Sequence, residues 1–156
     1  MSRRLKVSSA QLGPINLADS RASVVKRMIE MLKEADSRGS KFIVFPELAL
    51  TTFFPRWFYE RQEDIDAWFE REMPSADTRP LFDEAGRLGL GFCLGFAELT
   101  VEEGRTRRFN TSILVDKAGK VALKYRKIHL PGHAEHDPSG HRTLFLDLGD
   151  DDSADL

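Results

Sequence analysis

A chain of 156 residues that is 41% hydrophobic, with eleven Phe and two Trp, is sized for one domain with a real core, which excludes a disordered protein. The net charge of −2 is unevenly placed: residues 147–156 hold five acids and no base, leaving +3 for residues 1–146. No apolar run is long enough for a membrane span, Arg3-Arg4 is followed only by Leu5-Lys6-Val7, and the single Cys93 can form no internal disulfide, so a cytoplasmic protein without leader or membrane contact is expected.

Residues 5–11 read as a first strand, closed by Gly13-Pro14, with Asp19 or Ser20 as the cap of a following helix. Over residues 22–38, Val24, Val25, Met28, Ile29, Leu32 and Ala35 keep helical spacing, and Gly39 suits the C-terminal cap. The apolar run 42–45 is the second strand, and its right-handed crossover from the first makes the two parallel neighbours. Residues 50–59 form an aromatic loop that either walls a pocket or packs as a surface or subunit contact. Ile65, Trp68 and Phe69 suggest a short helix and residues 78–88 another, capped by Gly89. Strands at 90–99, 109–117 and 121–126 follow, the last two joined through Asp116-Lys117-Ala118-Gly119 as a hairpin. The expected fold is α/β with a mixed sheet and helices on one face.

Two places carry chemistry. The buried-strand signature Phe42-Ile43-Val44-Phe45 stops at Pro46, which cannot donate to a ladder, so Glu47 sits at a strand tip. A lone acid there is a candidate general base, or a solvated loop carboxylate. In Lys124-Tyr125-Arg126-Lys127-Ile128-His129-Leu130-Pro131-Gly132-His133, alternation puts Lys124 and Arg126 on one face and Tyr125 and Lys127 on the other. The plain alternative is a solvated basic edge.

Phe45-Pro46-Glu47, Asn110-Thr111 and Lys124 to Leu130, in that order, resemble the nitrilase superfamily of carbon-nitrogen hydrolases. Residues 45–57 and 107–117 are most similar to the N-carbamoyl-D-amino acid amidohydrolases within it. The resemblance spans residues 5–133, and it implies the N-terminal half of a four-layer α-β-β-α sandwich. It also implies a Glu-Lys-Cys mechanism with Glu47 as general base and Lys127 as electrophile. By position His129 matches a substrate-pocket histidine, although a histidine bonding a turn carbonyl reads equally well. The implied reaction is hydrolysis of an N-carbamoyl-D-amino acid to amino acid, carbon dioxide and ammonia, with no cofactor, no metal and a homo-oligomeric assembly. The alternatives are a β-ureidopropionase-like or aliphatic amidase-like enzyme, or a non-catalytic half-domain that binds a full-length homologue.

Nothing in the chain matches the family's nucleophilic cysteine. Cys93 lies within Leu90-Gly91-Phe92-Cys93-Leu94-Gly95-Phe96 and is assigned to the core as a small hydrophobe, so the chain alone is expected to be inactive. Residues 134–156 read as a divergent acidic tail, disordered or out of frame, as a frameshift or premature end would produce. His129, His133, His136 and His141 are a weak zinc pattern, since Pro131, Gly132, Pro138 and Gly140 forbid a regular helix through them. Arg105, Arg107, Arg108, Lys117, Lys120, Lys124, Arg126 and Lys127 form a basic stretch, but no nucleic-acid module accompanies it and no nucleic-acid partner is expected.

Overall fold

The computed structural model describes residues 4–57 and 59–128. His129, the histidine series and the acidic tail lie outside the described residues. Strands β1 (Val7–Ser9), β2 (Phe42–Val44), β3 (Gly91–Glu102), β4 (Arg105–Val115) and β5 (Val121–Arg126) form one sheet in the order β1-β2-β3-β4-β5. The first three run parallel and the last two pairings are antiparallel, the mixed α/β arrangement expected. Helix α1 (Arg21–Ser37) starts where the Ser20 hydroxyl accepts the Ser23 N–H at 3.2 Å. Helix α2 (Arg79–Leu88) ends at Gly89, whose φ of 63° is the left-handed cap that only glycine adopts without strain.

Both helices pack on the same face of the sheet. Val24, Val25, Met28, Leu32 and Ala35 of α1, with Leu81, Phe82 and Ala85 of α2, meet Ile43, Phe92, Leu94, Phe96, Ile113 and Val115 in one core. Burial of each large apolar side chain stabilises by about 1.5–3 kcal/mol, which is why α1 keeps a single apolar stripe. The opposite face is covered at Ala97 and Leu99 by a second cluster with Leu48, Phe54, Ile65 and Phe69, and stays open elsewhere among the described residues: Val44, Leu123 and Tyr125 are 43, 46 and 45% exposed.

The central hairpin is longer than expected. The third strand continues past residue 99 to Glu102, and the fourth begins at Arg105 rather than 109. Glu103 and Gly104, at φ 51° and 74°, make a two-residue turn whose twist matches the strands. The charged residues there pair across the ladder, Glu102 opposite Arg105, instead of forming a solvated loop. The first strand is shorter than expected, three residues, and residues 62–68 form a 3-10 segment (Gln62–Trp68) in place of a short helix.

Candidate active site

The segment after β2 remains stitched to β3 on both sides of Glu47. Phe45 N–H donates to the Cys93 carbonyl and Ala49 N–H to the Gly95 carbonyl, each at 2.9 Å. Between these bonds the backbone of residues 46–48 crosses directly over Gly95. A Cβ there would lie 3.0 Å from Glu47 Cα and 3.2 Å from both Leu48 N and Pro46 O, so any side chain would push the crossing backbone away by a few tenths of an ångström. Leu48 bends at φ 49°, a conformation disfavoured for a branched residue, and its buried side chain anchors the bend in a cluster with Phe54, Ile65 and Phe69.

Lys127 follows β5 by one residue, its N–H bound to the Asn110 carbonyl at 2.8 Å. Its ammonium donates to Glu47 Oε1 at 2.8 Å, and the Asn110 amide donates to the same oxygen at 2.6 Å. Asn110 thus fixes both partners, through its backbone and through its side chain. Glu47 Oε2 has no hydrogen-bond partner among the described residues, which leaves one oxygen open to take a proton. The hydrogen bond from Lys127 holds the Glu47 carboxyl below its ordinary value; partial burial opposes this and Asn110 reinforces it.

The pair opens onto a cavity of about 400 Å³ on the uncovered sheet face, walled by Val44, Cys93, Gly95, Ser112 and Tyr125. Cys93 therefore departs from the core assignment. It is only partly buried, faces this cavity, and its Sγ lies 3.3 Å from Ser112 Oγ. An apolar run states that a strand is flanked by hydrophobic groups but not which of its faces is covered. Asn110, quoted for the resemblance but given no role, is the residue of the candidate site that sequence reasoning missed. The available signal was an amide set between Phe109 and Thr111 beside the apolar strand β3: at 9% exposure it needs a partner.

On the far side of Glu47 a second cavity of about 460 Å³ is lined by the 12–17 loop, Thr51, Thr52, Phe53, Arg56 and Trp57. The aromatic loop thus does both things open to it, since Phe54 is fully buried in the second cluster while Phe53, Arg56 and Trp57 face this space.

Alternation on β5 holds as expected. Tyr125 and Lys127 face the first cavity, whereas Lys124 and Arg126 turn to the helix side and bind Glu98. Thr111 adds a 2.8 Å bond to Glu98. Burial pushes the Glu98 carboxyl up, yet its bonds from Arg126, Lys124 and Thr111 outweigh that and bring it below the ordinary value. Arg126 also reaches Glu102 at 2.7 Å, and Arg108 grips Asp66 at 2.6 and 2.9 Å, so much of the basic stretch faces carboxylates rather than solvent. Among the described residues no cluster of three or more His, Cys, Asp or Glu is arranged to hold a metal, and no helix is long and apolar enough to cross a membrane.

The carbon-nitrogen hydrolase family model matches residues 6–150. This chain belongs to that family. The match takes in Glu47, Asn110 and Lys127 and runs past His133. Among curated relatives of this carbon-nitrogen hydrolase chain, the glutamine-dependent NAD(+) synthetase of Thermotoga maritima is 32% identical over 94% of the chain and 24% of the relative. The arylacetonitrilase of Macrophomina phaseolina is 28% identical over the whole chain and 42% of the relative, and the nitrilase of Pyrococcus abyssi 31% over 81% and 44%. The chain therefore spans between a quarter and a half of the length of these relatives. Two solved structures share the fold: the NitN amidase of Nesterenkonia sp. AN1, at TM-score 0.63 and 18% identity over 83% of the chain and 46% of the amidase, and a carbon-nitrogen hydrolase of Helicobacter pylori G27, at 0.63 and 20% over 88% and 43%.

Proposed function

We propose that this chain supplies the acid-base and electrophilic half of a carbon-nitrogen hydrolase site whose substrate is an N-carbamoyl-D-amino acid. The observation that carries the reading is the Glu47–Lys127 contact of 2.8 Å, held by Asn110 beside a cavity. A carboxylate with one free oxygen accepts the proton of an attacking thiol, and the thiolate adds to the ureido carbonyl carbon. The Lys127 ammonium, which has donors beyond the one directed at Glu47, stabilises the resulting oxyanion. Collapse of the adduct expels ammonia, which takes the proton back from Glu47. Water activated by the same carboxylate then cleaves the carbon-sulfur bond, and the carbamic acid released loses carbon dioxide to leave the amino acid.

In this reading the thiol is not Cys93, which lies within a strand and bonds Ser112 rather than Glu47, and the 156 residues alone do not turn over. The likeness of residues 45–57 and 107–117 to N-carbamoyl-D-amino acid amidohydrolases supports the substrate. Nitrilase and omega-amidase relatives keep a related amidohydrolase, β-ureidopropionase-like or aliphatic amidase-like, as the nearest alternative. The acid and amine fit all of these equally, since each attacks an electrophilic carbon bonded to nitrogen.

The test mixes this chain with a separately made C-terminal half of a family member and measures ammonia from N-carbamoyl-D-amino acids, their L forms and simple aliphatic amides. Ammonia released from the D-ureido compounds and abolished by Glu47→Gln is expected. Release from amides alone would transfer the reading to an amidase, and release unaffected by Glu47→Gln would refute it. The open face bearing Val44, Leu123 and Tyr125 favours one further reading, a half-domain that binds a full-length homologue. Co-purification with such a homologue, without added activity, would select it.

A further inference from the structure

We infer that Leu48 is a positioning residue: its left-handed bend and its buried side chain set Glu47 on the face of the sheet where Lys127 meets it. The inference rests on the reading of the Glu47–Lys127 pair given above, and it adds a residue that acts through the acid. The segment after β2 carries more residues than the stretch of β3 it follows. Successive bonds from it reach the carbonyls of Cys93 and Gly95, two residues apart, yet the donors are Phe45 and Ala49, four residues apart. A regular parallel ladder would draw the second bond from residue 47, so two residues are extra, and Pro46 has no N–H with which to rejoin the ladder. A bulge of this kind re-aims a side chain, and the side chain carried out of register here is Glu47.

Leu48 closes the bulge at φ 49°, a region that glycine, or Asn and Asp, ordinarily occupies. A branched aliphatic residue stays there only when its surroundings outweigh the strain. Packing does so. On the face of β3 that bears Cys93, two-residue alternation brings up Gly95, Ala97 and Leu99 in turn. Cys93 and Gly95 line the cavity of the charged pair, the backbone of residues 46–48 crosses over Gly95, and Leu48, 4% exposed, packs with Ala97, Leu99, Phe54, Ile65 and Phe69. Phe45 and Ala49, which flank the bulge, are buried in the core on the helix side. The crossing is thus pinned from both faces of the sheet, and Glu47 stands between the pins. Of residues 46–48, Leu48 alone joins the second cluster, so the packing of the aromatic loop reaches the carboxylate through this one side chain.

The test is carboxyl NMR titration of Glu47 in the 156-residue chain, with a thermal melt of each variant. Leu48→Ala removes the anchor, and a carboxylate that drifts from Lys127 and Asn110 returns towards its ordinary value of 4.5, so an upward shift of the Glu47 midpoint is expected. Leu48→Gly should shift it likewise while melting no lower than Leu48→Ala, the reverse of the usual order, because glycine takes the left-handed bend without strain. Leu48→Met, which refills the same space, should keep the native midpoint. Leu99→Ala is the control for packing alone: it opens the same cluster from outside the bulge, and it should lower the melting temperature with the midpoint unchanged. A native midpoint in Leu48→Ala and Leu48→Gly, an equal rise in Leu99→Ala or Leu48→Met, or a Leu48→Gly chain that melts below Leu48→Ala would overturn the inference. Should Leu48→Ala fail to fold, the midpoints of Leu48→Gly and Leu99→Ala decide it. Because no turnover is read, the two readings fail separately. Ammonia release that survives Glu47→Gln removes the base and leaves Leu48 setting the carboxylate against Lys127, whereas a native midpoint in the Leu48 variants removes the positioning role and leaves the base.

Discussion

At the residue scale the Glu47–Lys127 pair is governed by mutual charge. Because the folded Glu47 carboxyl lies below its ordinary value of 4.5, chiefly through its hydrogen bond from Lys127, the pair favours the folded state from above that value through neutral pH. The contribution is lost as pH falls through the lowered pKa. With the Glu47 side chain 52% exposed, solvent screens most of it, so the pair adds little to stability. Carboxyl NMR titration of the chain should show Glu47 ionising below 4.5, and Lys127→Ala should move the midpoint back up; a native midpoint at or above 4.5 would contradict the geometry. Asn110→Asp offers the converse. It would set a second carboxylate where the amide now donates to Glu47 at 2.6 Å, and the two acids should then titrate as a coupled pair, with one midpoint well above 4.5.

At the scale of elements, the position of Glu47 depends on what is missing from β3. Gly95→Ala would drive a methyl group into backbone atoms of residues 46–48, none of which can rotate away, so a loss on the order of 1–3 kcal/mol and a displaced carboxylate are expected. Thermal unfolding and the Glu47 titration read the two effects separately; a variant with native stability and a native midpoint would show that the crossing is looser than it looks. On the other face, Arg126→Ala removes two bonds to buried Glu98, the pair with Glu102 and a guanidinium stacked 3.9 Å from the Phe109 centroid. The expected cost is on the order of 2 kcal/mol, measured by chemical denaturation, with no shift in the Glu47 titration.

These elements differ in how far the sequence disclosed them. The strand-tip place of Glu47 was legible because a proline-terminated apolar run marks a strand end, and alternation set Lys127 on the Tyr125 face of β5, but what joined the two was the resemblance to the nitrilase superfamily and not the pattern itself. Asn110 and Gly95 were not, since their roles depend on what crosses them in space: an amide paired with a residue 63 positions away and a missing Cβ beneath another segment. The β3–β4 extension was hidden because Glu102 and Arg105 look solvated until each is known to face the other. For Cys93 the composition of the strand was read correctly, while the covering of its face is a tertiary property.

Across the whole molecule the asymmetry of the sheet is the dominant fact. One face is sealed by α1 and α2, and the other presents Val44, Leu123 and Tyr125 beside the charged pair. A surface of this kind favours association. The isolated chain is expected to bind the dye ANS and to elute above its monomer mass of 17.7 kDa, and Val44→Lys combined with Leu123→Lys should reduce both without lowering the melting temperature. A monomer that excludes the dye would indicate that the face is covered. The fold shared with the amidase of Nesterenkonia sp. AN1 and the hydrolase of Helicobacter pylori G27 extends over less than half of those chains, which leaves most of their structure beyond this sheet and its two helices.

The bare α-carbon of residue 95 has a thermal corollary. With the acid pressed against the middle of the central strand and the ammonium tied by its own amide to the next one, the spacing between them is set by the ladder and not by loop motion. Warming should therefore leave the acidity of the carboxyl almost constant until the ladder itself melts, and then release it in a single step. The contact would be lost cooperatively with the fold instead of fading gradually beforehand.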